Sequence, residues 1–238
     1  MVQRWREEFT RTNALTASAR IVREFCRYLR DSTPERRRSR YGDMEYDWEH
    51  RVNTTSGSVG WRERLLGVFH SPYQPTDAAL FQEMISSLPI DFSEFTFVDL
   101  GSGKGRTLLM ASEYPFRRIV GVEILQDLHS AAENNIRTYR SPTQRCTQIE
   151  SVCANARGFA FPDEPLVLYL FNPLPPAGLQ QVLANLETSL QRKSRAVYVV
   201  YHNPLLEECL RECPWLQLAG RVNESVIYHN CESANNSE

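Results

Sequence analysis

Lysine is nearly missing from this 238-residue chain: of 27 basic residues only Lys104 and Lys193 are lysines. Net charge is small as well. Twenty-nine acidic residues leave a formal charge of −2, which argues against a general nucleic-acid binder held by phosphate attraction. No apolar run approaches the ~18 residues that a membrane helix requires, so no membrane partner is expected. The opening MVQRWREEFTRT has none of the apolar core that a secretory leader carries. The six cysteines, at 26, 146, 153, 209, 213 and 231, show no paired metal-type spacing. Cys209 and Cys213 are four apart, with no histidine nearby to complete a zinc set. The expectation is a cytoplasmic chain with reduced thiols and no metal.

What the chain does contain is concentrated in residues 95–106, FTFVDLGSGKGR. A short apolar run ends in Gly101, Gly103 and Gly105, then passes into a helical pattern from Arg106 to Glu113. Glycines at such a junction accept unusual φ and remove the Cβ that would hold a ligand off the backbone. The following helix offers unpaired amides and a positive dipole end. Two nucleotide-binding patterns fail on spacing. A dinucleotide fingerprint needs a sixth-position glycine, where this chain has Arg106. A phosphate loop needs glycine at position 98 and Ser or Thr after the lysine; the chain has Val98 and Gly105. What remains is Asp-x-Gly-x-Gly-x-Gly at a strand end.

About twenty residues on, Arg118-Ile119-Val120-Gly121-Val122-Glu123 forms a second apolar run that closes on a carboxylate. A carboxylate there can accept hydrogen bonds from both hydroxyls of a ribose. With these two segments in register, the chain resembles the class I S-adenosylmethionine (SAM) dependent methyltransferases. The resemblance covers roughly residues 70–229. It implies a cofactor site of Asp99, Gly101, Ser102, Gly103 and Gly105, with Glu123 on the ribose and Ile124 against the adenine face.

From Phe95 onward strand and helix patterns alternate, which implies a mostly parallel sheet covered on both faces. Strands are expected at 95–100, 118–123, 147–152, 165–171 and 196–202, and helices at 105–113, 125–139, 176–191 and 204–211. The runs 216–222 and 225–228, meeting at Asn223-Glu224, read as a hairpin. The fold class is therefore α/β: a three-layer sandwich whose seven-stranded, mostly parallel sheet ends in an antiparallel hairpin. A helical extension precedes it. The division expected is 1–69 as extension and substrate-side loop, 70–230 as the SAM-binding domain and 231–238 as a disordered tail.

Ligands in such sheets sit beyond the carboxyl ends of the strands. That rule gathers the glycine loop with Asn155, Asn172 and His202. After the third strand, Asn155 stands where the family usually has an acidic or polar residue near the adenine amine; it reads equally as a turn residue. After the fourth, Asn172-Pro173-Leu174-Pro175 keeps only the Asn-Pro of the Asn-Pro-Pro-aromatic motif found in amine and amide methylating members. Asn172 is the first choice for a methionine-end or acceptor contact, and the missing aromatic disfavours flipped-base methylation. His202, in Tyr201-His202-Asn203-Pro204, is a candidate proton acceptor or a structural hydrogen-bonder. Upstream, Tyr73-Gln74-Pro75-Thr76 resembles the entry segment of telomeric-silencing-type histone lysine methyltransferases and related protein-lysine methyltransferases. There the loop closes over SAM, a task that falls to Tyr73 and Thr76 here. Thr76 or Asp77 can also cap the helix expected at 77–88.

Arginine crowds the front of the chain, eleven of the first forty residues. Leu15 to Arg30 reads as an amphipathic helix with Val22, Phe25, Cys26 and Leu29 on one face. Residues 41–69 interleave Tyr41, Tyr46, Trp48, Trp61 and Phe69 with acids, a candidate cover for the acceptor site that could attract a cationic substrate. The reading is a SAM-dependent methyltransferase acting on nitrogen (a protein lysine or small amine) or on a small metabolite. Two alternatives share the fold: a catalytically silent interaction module using the arginine-rich helix, and an aminopropyl transferase, which normally needs paired acids where this chain has Asn172-Pro173.

Overall fold

The computed structural model describes residues 44–55 and 75–230. The expected helix at 15–30, the aromatic loop from 56 onward, Tyr73 and the tail 231–238 lie outside the described residues. Within them, every expected strand forms. The order of elements begins with α1 (Met44–His50), α2 (Ala78–Ser86), β1 (Thr96–Leu100), α3 (Arg106–Ala111), β2 (Arg118–Glu123) and α4 (Gln126–Thr138). It continues with β3 (Ile149–Cys153), β4 (Leu166–Leu170), α5 (Pro176–Arg192), β5 (Val197–His202), α6 (Glu207–Arg211), β6 (Leu216–Val222) and β7 (Ser225–Asn230).

The seven strands lie in the order β3-β2-β1-β4-β5-β7-β6. Five are parallel, and β7 pairs antiparallel with both β5 and β6. Strand order reverses between β1 and β4, so the crevice beyond their carboxyl ends is the switch point of the sheet. Every residue of β1 and β4 is buried, as a strand covered on both faces requires.

Side-chain alternation sorts those strands into two cores. Val98, Leu100, Val120, Val122, Leu168 and Leu170 pack on one face with Leu179, Val182, Leu183 and Leu186 of α5. Phe97, Ile119, Val167 and Tyr169 face the other way, onto Phe81, Met84 and Ile85 of α2 and Leu108 of α3. The leucine stripe of α5 is thus core, each fully buried side chain contributing about 1.5–3 kcal/mol. Asp77 supplies the N-cap of α2, accepting from the amides of Ala79 and Leu80 at 2.9 and 3.1 Å. The helix expected at 204–211 is shorter than its pattern, Glu207–Arg211, because Asn203 is left-handed (φ 47°) and Pro204 follows it. Among the described residues no helix is long and apolar enough to cross a membrane, and no cluster of metal-ligating side chains occurs.

Candidate active site

The glycine loop leaves β1 and folds back over β2. The amides of Gly101 and Ser102 both donate to the Val122 carbonyl, at 2.8 and 3.2 Å, and Gly105 closes the turn onto the Ser102 carbonyl at 2.8 Å. Gly101, Gly103 and Gly105 all have positive φ, 86°, 54° and 80°, which is why glycine occupies each. The loop presses so closely on β2 that a Cβ at Gly121 would come within 2.6 Å of both the Ser102 hydroxyl and Leu108. Ser102 therefore points its side chain at the sheet. Only its backbone remains to meet a ligand.

Glu123 ends β2 with its carboxylate buried beneath the same loop. One oxygen accepts the Gly103 amide at 2.9 Å and the other the Leu125 amide at 2.8 Å. Burial pushes its pKa up, and the amides of Leu125, Gly103 and Ile124 pull against that rise. The side chain is fixed in place with lone pairs remaining for further donors. Ile124, next in the chain, is one of the few large apolar side chains left exposed among the described residues, at 45%.

Asp99 lies on β1 with Tyr169 of β4 and Gly121 of β2 as its register partners. Its carboxylate accepts the Thr107 hydroxyl. Full burial, countered by that bond and reinforced by Glu123, pushes its pKa up to about 7. Thr76 reaches the same layer: its hydroxyl is 2.9 Å from that of Tyr169 and is buried. Thr76 thus joins the helix entry to the central sheet directly behind Asp99.

At the ends of β4 and β5 two Asn-Pro turns stand side by side, with Asn172 and Asn203 both at φ 47°. The carboxamide of Asn172 ties them together. Its nitrogen donates to the Asn203 carbonyl at 2.7 Å, and its oxygen accepts the Tyr201 hydroxyl at 2.7 Å and the Leu205 amide at 3.3 Å. His202 is buried beside them, Nδ1 3.0 Å from the Ser225 hydroxyl and its ring 4.5 Å from that of Phe171. Burial lowers its pKa, with Glu224 opposing, so the ring is neutral at pH 7. Asn155 lies across the sheet, exposed at the end of β3, where its side-chain oxygen accepts the Arg157 amide at 3.1 Å and caps a short 3-10 turn.

Glycine loop, Asp99, Glu123, Ile124 and Asn172 therefore share one end of the sheet. Two participants had no recognisable signal in the sequence, Thr107 on Asp99 and Asn135 on the Lys104 carbonyl of the glycine loop, and Tyr201, a weak candidate for a proton acceptor by its place beside His202, instead donates to Asn172. Helix period marks Thr107 and Asn135 only as positions, and nothing local announces their partners.

The residues present suit a SAM molecule. Glu123 is a buried, oriented carboxylate at the end of β2. The glycine loop brings its backbone next to that carboxylate, the Gly103 amide donating to it at 2.9 Å, and Ile124 offers an exposed apolar surface. Residues 70–148 match the family model described as histone methylation protein DOT1. No curated protein matches the chain. Similar solved structures include an RNA methyltransferase from Salinibacter ruber in complex with S-adenosyl-L-homocysteine, 21% identical over 66% of this chain and 92% of that one, TM-score 0.42. A ribosomal protein L11 methylase from Lactobacillus delbrueckii subsp. bulgaricus is 15% identical over 72% and 78%, TM-score 0.43. A dimethyladenosine transferase from Plasmodium falciparum is 11% identical over 66% and 62%, TM-score 0.47. These superpositions are loose, and the assignment rests instead on the motif, the strand order and the family match. By those three features the chain is a SAM-dependent methyltransferase of the seven-strand class.

Proposed function

We propose that the acceptor is an amine nitrogen, of a protein lysine or a small amine. The observation that carries this is the composition of the β4 exit. Asn172-Pro173-Leu174-Pro175-Pro176 contains three prolines in five residues, so three backbone amide donors are missing; the Pro175 carbonyl is taken by the Gly178 and Leu179 amides, and those of Asn172, Pro173 and Leu174 lie ahead of the helix. A wall rich in acceptors and poor in donors suits a nucleophile that brings its own N–H groups. It offers little to a carboxylate or phenolate oxygen. The match to a histone methylation family over residues 70–148 supports the same reading.

Bound SAM supplies a sulfonium methyl and its own leaving group, so the chain's task is to bind, align and exclude water. Alignment alone can contribute roughly 7–11 kcal/mol of barrier reduction. Glu123 and the glycine loop hold the adenosine end, and Asp99 lies where the cationic amino-acid end would be placed. The Asn172 carboxamide fixes the two carbonyl-bearing turns that face the acceptor. His202, neutral at pH 7, stands behind Phe171 as a candidate to receive the amine's proton through water. Thr76 and Tyr73 are assigned to the entry segment that closes the cofactor side.

The test is methyl transfer from isotopically labelled SAM to lysine peptides, histones and small amines, beside hydroxyl and carboxyl acceptors. Label recovered as methylated amine supports the proposal. Label found only in base-labile esters or in ethers would overturn it.

A further inference from the structure

We infer that Asn135 is a positioning residue for the cofactor loop, acting with a strap formed by residues 46–55. The inference rests on the methyltransferase reading, but its structural basis is the set of contacts that the glycine loop makes with α4 and residues 46–55. The strap itself lies outside the family match, which covers residues 70–148, while Asn135 and the loop lie within it.

The strap is a closed unit. Asp47 accepts from the amides of Thr54 and Thr55 at 2.9 and 2.8 Å and from both their hydroxyls. One side of it docks on α3 and α4. The Arg106 guanidinium lies 4.5 Å from the centre of the Tyr46 ring and donates to the Thr54 hydroxyl at 3.3 Å. His50 packs on Tyr139 with ring centroids 5.2 Å apart. Thr54 is completely buried.

Asn135 is where strap, helix and glycine loop meet. Its oxygen accepts the Asn53 amide at 2.9 Å, and its nitrogen donates to the Asn53 carbonyl at 3.1 Å and the Lys104 carbonyl at 3.0 Å. Lys104 returns the contact, its ammonium donating to the Asn53 side chain at 3.1 Å. One turn earlier on the same helix, Ala132 limits Gly105, where an added Cβ would stand 3.2 Å away. The Lys104–Gly105 peptide is therefore gripped by its carbonyl from behind. That grip directs the Gly105 amide onto the Ser102 carbonyl, and it fixes Gly105 in its left-handed conformation. Release of the carbonyl would let this peptide rotate and would loosen Gly103, whose amide holds Glu123. The bonds of Asn135 thus reach the cofactor surface without touching a cofactor.

The experiment titrates full-length wild type, Asn135→Ala and Asn53→Ala with S-adenosylhomocysteine by calorimetry. Thermal unfolding and amide exchange of residues 103–106 are followed on the cofactor-free proteins. Asn135→Ala removes three hydrogen bonds, one of them to the loop carbonyl; expected is roughly tenfold weaker binding from the loss of that loop bond, and faster exchange at 103–106 with β4 unchanged. Asn53→Ala, which removes the side-chain acceptor of the Lys104 ammonium and keeps the backbone bonds to Asn135, should show a smaller change in the same direction and serves if the first variant does not fold. A lower melting temperature with binding within about twofold of wild type would mean a merely structural residue and would overturn the inference. Wild type that fails to bind would sink the cofactor assignment instead; the exchange data would still judge the grip, since unchanged exchange in Asn135→Ala refutes it.

Discussion

Gly101 and Pro173 are packed so closely that a Cβ on Gly101 would stand 2.7 Å from the Cβ of Pro173. One residue follows β1 and the other follows β4, so this contact closes the floor of the crevice at the point where strand order reverses. It places the cofactor loop and the acceptor turn in direct mechanical contact. Gly101→Ala must either push Pro173 aside or abandon φ 86°. The expected cost is about 1–3 kcal/mol of stability, seen as a lowered melting temperature. Cofactor binding measured by calorimetry should be lost while circular dichroism still reports a folded chain.

Glu123 has a task that the shape of its side chain alone does not satisfy. Both its oxygens accept backbone amides, so Glu123→Gln would turn an amide NH2 toward an N–H donor. The substitution should weaken S-adenosylhomocysteine binding at least as strongly as Glu123→Ala, by about 1–3 kcal/mol of affinity. Titrations of the two variants beside wild type check this. Equal binding by Glu123→Gln and wild type would show that the carboxylate has no part in the ribose contact.

Asp99 should make stability and cofactor affinity depend on pH in opposite directions, if it meets the cationic end of the cofactor as proposed. In the folded chain it titrates at about 7, above its ordinary 3.8. Between those values the folded state holds a proton that the unfolded chain has released. Stability therefore falls as pH rises through this window, and the whole deficit is present above pH 7. Asp99→Asn should melt a few degrees above wild type at pH 8 and close to it at pH 4. Affinity for a cationic cofactor end should rise in wild type from pH 6 to 8 and stay low and flat in the variant. Scanning calorimetry and titration across pH give both curves.

Tyr201 supports the turn assigned to the acceptor. Its hydroxyl is one of two donors to the Asn172 oxygen, the other being the Leu205 amide. Tyr201→Phe removes one bond within a buried network, a loss of roughly 1–3 kcal/mol. Because it loosens the turns that face the acceptor, kcat should fall by about tenfold, while the KM for SAM stays near wild type. A variant with lowered stability and unchanged kcat would confine Tyr201 to packing.

How much of this was visible beforehand depends on whether a feature is local. The strands could be read because apolar runs and their terminators are consecutive: 118–123 was expected and Arg118–Glu123 formed, and the hairpin turned at Asn223 as its spacing implied. The glycine loop and Glu123 were legible for the same reason. Asn172 was noticed as a residue, but its engagement with Tyr201 and Asn203 depends on β4 lying beside β5, a consequence of strand order. Thr76 is the same case, because its partner Tyr169 is 93 residues away. Asn155 carried two readings, and the described geometry gives its oxygen to a cap. The acids of 41–55 looked available for a cationic substrate, yet Asp47 is engaged by Thr54 and Thr55. Spacing reveals periodicity, and it is silent on which polar groups meet across layers.

Cys153 offers a reading of the adenine side that requires no substitution. It ends β3 opposite Glu123 in register, and its thiol is free and exposed. Cys146 and Cys209 are free but buried, and an alkylating reagent reacts with a thiol in proportion to its access as well as its thiolate fraction. Cys153 should therefore label faster than Cys146 and Cys209 in the cofactor-free protein, followed at peptide level by mass spectrometry. If adenosine lies between Ile124 and the end of β3, S-adenosylhomocysteine should slow labelling of Cys153 by about tenfold or more at saturation and leave the buried pair unchanged. Undiminished labelling at a concentration where calorimetry shows full occupancy would move the adenine away from this edge of the sheet.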